Sequence, residues 1–344
     1  MPLLSKIPAL QGIAAFVAAL VMTACGKPSV IRLPYSASNP VIYDNDAVTD
    51  VYTDEYLMAL ASLGEIQLKG MLSSSSIAPE NRWVSESDAE SNVNERQKVV
   101  AAARASGFRN IPDPVRGPKG QLNRPASGQI QDTRPNGSEG SWLIVREARK
   151  ASAELPLVVV MGGPLTAAAD AYLLDPSIAD KVIVAWLCIR NNDMGQYNGW
   201  ADGWAAYIVL QKLRLVQFGD VRAPLVTKAQ LLTLPESPLR DYMYQSYPPG
   251  GQPHSDLDGD APPAVSLMRS DYAQKIKSVT FGDWKTEDNH EVPVFRRDVR
   301  DLSLRAFFRL FEVQERGNTL VVTETDQSVA TTEWWRAVRK ALSP

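Results

Sequence analysis

The chain has 344 residues, 44% hydrophobic and 22% charged, with a formal net charge of −3. That is globular composition, with enough chain for one large domain or two smaller ones. No basic surplus is available to neutralise phosphates along a backbone, which argues against a nucleic-acid partner.

The first segment, residues 1–24, reads "MPLLSKIPALQGIAAFVAALVMTA" and ends at Cys25. Lys6 gives a short positive start, and Gly12 to Ala24 is an uncharged apolar run, short for a membrane-spanning helix. The small residues Thr23 and Ala24 before Cys25 resemble a bacterial lipoprotein signal, with Met22 where leucine is usual. The resemblance implies a signal peptide over 1–24, a lipidated Cys25 and a lipid anchor in the cell envelope. Gly26 is not acidic, which points to the outer membrane where a cell has two. The second cysteine, Cys188, then stands alone among apolar neighbours as a buried thiol.

Residues 25–40 carry no period and read as a tether. A short strand is predicted at 41–43 and a helix over 52–62, with Leu57, Leu60 and Ala61 on one side. Alternation over 65–72 predicts a strand, followed by the serine run 73–76. A polar helix over 88–106 precedes a long loop, 112–137, rich in Pro, Gly, Asn and Arg. Helices then alternate with strands: helix 137–152, strand 156–163, helix 164–180, strand 181–189, helix 200–212 and strand 213–219. Apolar strands alternating with helices predict an α/β fold, a mainly parallel Rossmann-like sheet flanked by helices. After Pro248 the character shifts to a smaller C-terminal extension of the same domain, 41–344. It holds a Pro/Gly/Asp loop entering a helix, mixed strands over 291–325, and a solvated basic patch of Arg296, Arg297 and Arg300. The final helix is expected to be capped by Thr331 or Thr332 ahead of Glu333.

Ligands of such sheets bind at the carboxyl ends of the strands. There the chain places Asp44, Asp46, Asp50 and Asp54, the pair Gly162-Gly163, and Asn191-Asn192. Bunched carboxylates repel unless a cation neutralises them, and hard divalent ions suit oxygen ligands. The alternative for any one of them is a solvated cap at a helix start. Trp200 and Trp204, four apart, have core spacing, whereas Trp186 ends a strand where its ring is placed to stack on an aglycone.

Two families share parts of this pattern. Asp44-x-Asp46-x-Val48 resembles the nucleophile motif of haloacid-dehalogenase-type phosphatases, with an acidic pair offered by "GDWKTED" at 282–288; the strands lack the expected Ser or Thr. Four ordered blocks over residues 40–270 instead resemble inosine–uridine-preferring nucleoside hydrolases, as a divergent member. Their Asp-x-Asp-Pro-Gly-x-Asp-Asp opening is similar to Asp44-Asn45-Asp46-Ala47-Val48-Thr49-Asp50-Val51. The strand, Gly-Pro-Leu-Thr and acidic-Pro helix are similar to "LVVVMGGPLTAAADAYLLDPSIADKVIVAW". The Glu-Phe-Asn-like loop resembles "GQYNGWADGWAAYIVL", with Asn198 in the asparagine's place, and His-Asp before a helix resembles "DGDAPPAVSL" with Asp260. Departures are Ala47-Val48 for Pro-Gly, Val51 for the second Asp of the pair, Gln196 for Glu, and Gly259 for His; Asp54 or His254 stands near enough to substitute.

This resemblance implies a calcium-dependent hydrolase of the N-glycosidic bond of a nucleoside or related riboside. It makes Asp46 the general base and a Ca2+ ligand, joined by Asp260, Asp50 and the Gly162 carbonyl. Asp44, Asp50, Asn198 and Trp186 would contact the small-molecule riboside. A non-catalytic sugar-binding lipoprotein on the same fold is the other reading, and homo-oligomers are compatible with either.

Overall fold

The computed structural model describes residues 31–46, 52–75, 86–188, 197–219, 221–247, 260–281 and 312–343. The signal and lipidation expectations, Asp50, Gln196, His254, Gly259 and the 282–288 acidic pair fall outside these residues. Residues from Ile31 onward form one compact unit.

Among the described residues, eight strands make one sheet: β1 (Pro40–Asn45), β2 (Gln67–Ser73), β3 (Pro114–Arg116), β4 (Leu157–Met161), β5 (Val182–Leu187), β6 (Arg214–Phe218), β7 (Ala273–Phe281) and β8 (Glu312–Thr325). Their order is β3-β2-β1-β4-β5-β6-β8-β7, all parallel except β7, which runs antiparallel to β8. The order reverses between β1 and β4, so a crevice opens at their carboxyl ends.

The central strands β4 and β5 are apolar at every position because both faces are covered. Val41, Tyr43, Val158, Val160, Ile183 and Ala185 face one core. That core is closed by α1 (Thr53–Ser62), α2 (Glu86–Ala105), α8 (Pro238–Ser246), α9 (Ala261–Met268) and α10 (Gln327–Leu342). Ile42, Val159, Met161, Val184 and Trp186 face the other, covered by α3 (Glu139–Lys150), α4 (Thr166–Leu174) and α6 (Gly203–Lys212). The alternation of successive side chains between faces sets this division.

Several elements depart from the sequence reading. Residues 33–39 of the expected tether pack on the domain: Tyr35 hydrogen-bonds with Ser266 at 2.9 Å, and Asn39 Nδ2 donates to the Pro156 carbonyl at 2.8 Å. The long loop contains β3, too short for a period to show. It is pinned by Leu122 N donating to Asp202 and by Asn136 N and Gly137 N donating to Asp170. Two helices, α7 (Lys228–Leu231) and α8, were not expected. The last helix starts at Gln327, capped by Asp326, whose carboxylate accepts from Ser328 N and Val329 N; Thr331 lies inside it and bonds back to the Gln327 carbonyl.

Candidate functional site

The site builds from the end of β1. Asp44, the strand's penultimate residue, is fully buried. Its carbonyl accepts Gly162 N at 2.9 Å, and the Ser74 hydroxyl, just past β2, lies 2.8 and 2.9 Å from its two carboxylate oxygens. Burial pushes its acid up to about 7, opposed by Ser74 and by the nearby Arg96. Asp46, two residues on, lies at the crevice and is 5% exposed. Its carbonyl accepts Asn92 Nδ2 of α2 at 2.6 Å.

Opposite stands the pair Gly162-Gly163, directly after β4. A Cβ on Gly162 would lie 2.2 Å from Asp260 Cγ and 2.3 and 2.5 Å from its carboxylate oxygens. A Cβ on Gly163 would lie 2.9 Å from Asp46 Cβ and 3.0 Å from its Cγ. At both positions a carboxylate side chain occupies the space a side chain would take, most tightly at Gly162. Asp260 reaches this place from the residue before α9, where it is 2% exposed. Two buried acids from distant parts of the sequence are thus brought over adjacent residues at the switch point.

Two further residues hold the glycine backbone. Asn198, in the short helix α5 (Tyr197–Ala201), donates its amide to the Gly162 carbonyl at 2.5 Å and to Leu187 O at 3.1 Å. The Trp186 indole donates to the Gly163 carbonyl at 2.9 Å. Trp186 is fully buried in the core under α4 and α6. Its ring packs beneath the glycines, a correction to the expectation that it would stack on an aglycone; the strand's alternation turns it inward.

A second charged layer lies beneath. Arg96, buried on α2, pairs through Nε with Asp54 at 3.0 Å and donates Nη1 to Ser73 Oγ at 2.9 Å and to the Leu72 carbonyl. Its guanidinium lies 5.2 Å over the Tyr43 ring. Burial raises the Asp54 acid, opposed by Arg96, and burial with the Asp54 charge pushes Glu55 up to about 8. Asp54 is committed to Arg96, which corrects its suggested role as a stand-in metal ligand. Tyr52, in the left-handed region at φ 80, starts α1 here and is fixed by its hydroxyl on the Met243 carbonyl at 2.8 Å.

Asp46, Asp260, Gly162 and Asn198 therefore meet, with Asp44 and Trp186 supporting them from below. Among the described residues no group of three or more His, Cys, Asp or Glu is disposed to hold a metal; Asp50 lies outside them. Ser74, Asn92 and Arg96 were not anticipated. The serine run after a predicted strand was a usable signal for Ser74, whereas nothing marked Arg96 among the charges of a polar helix.

No protein-family model matches the chain, and no curated protein matches it. Solved structures do. An inosine-guanosine nucleoside hydrolase superposes with a TM-score of 0.60 at 13% identity, covering 88% of this chain and 98% of that one. A purine-preferring ribonucleoside hydrolase from Gardnerella vaginalis gives 0.55 at 17% identity over 88% and 99%. An inosine-uridine preferring nucleoside hydrolase from Bacillus anthracis gives 0.56 at 14% identity over 88% and 99%. Together with the sheet order and the switch-point crevice, these show that the chain has the nucleoside hydrolase-like α/β fold.

Proposed function

We propose that the protein is a calcium-dependent hydrolase of an N-ribosyl bond in a nucleoside or related riboside. The observation that carries this reading is the placement of Asp46 and Asp260 over Gly162-Gly163 at the switch point. The donor set fits a hard cation: two buried carboxylates and a carbonyl, all oxygen. The Gly162 carbonyl already accepts Asn198 but has a second lone pair. Asp46, Asp260 and the Gly162 carbonyl, completed by Asp50, would hold the ion. When bound, calcium supplies polarisation of a water and of sugar hydroxyls.

The chain's own residues do the rest. The Asp46 carboxylate accepts the proton of the attacking water. Asn92, holding the Asp46 carbonyl, and Ser74, holding Asp44, keep the strand end in place. Asn198 orients the Gly162 carbonyl and hydrogen-bonds the ribose. A site that pairs sugar hydroxyls rejects deoxy analogues, because its polar groups are then left without partners. Gly259, where the resembled family has histidine, supplies no acid to the departing base. Ribosides with good leaving groups should therefore react much faster than natural nucleosides. That same glycine favours a second reading, a binding lipoprotein that holds a riboside without cleaving it. The phosphatase reading is disfavoured, since Asp44 is fully buried against Ser74 and is not presented as a nucleophile.

The test compares p-nitrophenyl riboside with inosine and uridine, with and without calcium, in wild type and Asp46→Asn. Replacing the base should cost roughly a hundredfold or more in rate. Turnover that survives Asp46→Asn would refute the mechanism. Turnover of no riboside would favour the binding reading, and fast inosine cleavage would point to another acid, His254 first. We further propose that Cys25 is the lipidated start of the mature chain in the bacterial envelope; acyl-label incorporation undiminished in Cys25→Ala would refute it.

A further inference from the structure

We propose that Asp202 is a positioning residue, whose carboxylate locks α5 against the glycine turn and so fixes Asn198 where a sugar hydroxyl meets it. The proposal rests on the ribose-site reading above and adds the residue that regulates that contact. Asn198 is buried, and its amide nitrogen donates to the Gly162 carbonyl at 2.5 Å and to the Leu187 carbonyl at 3.1 Å. An amide nitrogen has two hydrogens, so the side chain has only its oxygen left to offer a ligand. Two carbonyls around the nitrogen also decide which way the amide faces. Asn198 therefore takes a hydroxyl that donates, at a place set by the backbone of α5.

That backbone does not hold its own position. α5 has five residues, too few to stand as a helix by itself in water. Asp202 follows it directly at φ −145° and ψ 82°, outside the helical range, so α5 ends there and α6 starts in a new direction. The buried Asp202 carboxylate fixes the join. One oxygen accepts Leu122 N at 2.9 Å and the Thr166 hydroxyl at 2.8 Å, and the other accepts Ala205 N of α6 at 3.0 Å. Beside it, the Ala201 carbonyl accepts the Gln121 side-chain amide. The end of α5 is thus tied to α4, to α6 and to the loop after β3.

The bond to Thr166 bears on the site most directly. Thr166 opens α4 three residues after Gly163, across Pro164 and Leu165, and the proline ring fixes one torsion of that short link. A closed ring results. It runs along the chain from Gly162 to Thr166, crosses to Asp202, returns along α5 to Asn198 and crosses back to the Gly162 carbonyl. Two hydrogen bonds, 2.8 and 2.5 Å long, close it. Breaking the one at Thr166 lets α5 shift against the glycines. Asp46, after β1, and Asp260, before α9, lie outside the ring.

The experiment measures ribose affinity by calorimetry in calcium-containing buffer, well below the melting temperature of each variant. Thr166→Val removes the hydroxyl at nearly constant volume and should weaken ribose roughly tenfold, the scale of one hydrogen bond. Asp202→Asn puts an NH2 against donors and should weaken it at least as much. Thr166→Ser keeps the hydroxyl and should bind as wild type does. In the Asn198→Ala background, Thr166→Val should cause no further loss, because its effect passes through Asn198. A loss of the same size in that background would overturn the proposal, since a general loosening of the fold adds to the loss of Asn198. Equal losses in Thr166→Ser and Thr166→Val would also overturn it, by assigning the effect to packing. Should Asp202→Asn fail to fold, the three threonine measurements decide alone. Ribose binding that needs Asp46 and Asn198 but ignores Thr166 would leave the site reading standing and sink this one; no ribose affinity in wild type would sink both.

Discussion

Asp46 and Asp260 stand over bare glycine backbone at the crevice, while Asp44 and Asp54, from the same acidic stretch as Asp46, lie in a layer beneath it. The lower pair is tied inside the protein, Asp44 to Ser74 and Asp54 to Arg96. The upper pair is placed by what the glycines lack. An acidic cluster in a sequence can therefore serve two purposes at once. Some carboxylates are used up in holding the strand ends, and only then are others set rigidly where a ligand arrives. Each prediction below tests whether the two layers are separable.

The largest effect is expected from the lower layer. Arg96→Met removes the buried partner of Asp54 and should destabilise the protein by about 3–5 kcal/mol, read from urea unfolding. Adding Asp54→Leu should restore much of that, since no unpaired charge is then buried. Calcium should still raise the melting temperature of the double variant by mass action. If that rise disappears, the two layers are one unit and the comparison fails.

Asp202 sharpens the picture at the far wall. It caps α6 through Ala205 N and holds Leu122 N and the Thr166 hydroxyl. Burial pushes its acid from 3.8 up to about 6, opposed by those bonds. A raised acid binds its proton more tightly when folded, so the group favours folding at low pH. Its contribution falls as pH rises from about 4 to about 6 and is constant above that. Asp202→Asn should flatten wild-type unfolding free energy across that window, by at most about 3 kcal/mol. A pH profile identical in both proteins would mean that Asp202 stays ionised throughout.

The glycines probe the upper layer directly. Gly162→Ala drives a methyl into the Asp260 carboxyl and should cost about 1–3 kcal/mol and the calcium-dependent rise in melting temperature. Gly163→Ala meets Asp46 Cβ at 2.9 Å, a milder clash that a small shift relieves, and should retain part of the calcium effect. Equal loss in both, measured by thermal melts with and without calcium, would show that the whole glycine turn moves together.

The central strands were legible because β4 and β5, buried on both faces, read as unbroken apolar runs such as Leu157–Met161. No local rule joins residues as far apart as Asp46 and Asp260, which stand over neighbouring glycines; only the resemblance put them in one site. What escaped depended on contacts. β3 has three residues and no period, and α10 was misplaced because Asp326 out-competes the threonines as a cap. Arg96 looks like any other charge on a polar helix until tertiary packing closes over it.

The smallest effect separates support from contact at Trp186. Trp186→Phe keeps an aromatic ring in the core but removes the indole donor to the Gly163 carbonyl, 2.9 Å away. One lost hydrogen bond to a buried carbonyl should cost about 1 kcal/mol in unfolding free energy. Because the ring lies fully inside the core beneath the glycine turn, KM for a riboside should stay unchanged while stability drops. A ring that stacked on the aglycone would behave the other way, with KM rising and stability barely moving. Stability and KM measured on the same variant thus decide whether Trp186 belongs to the supporting layer or to the ligand.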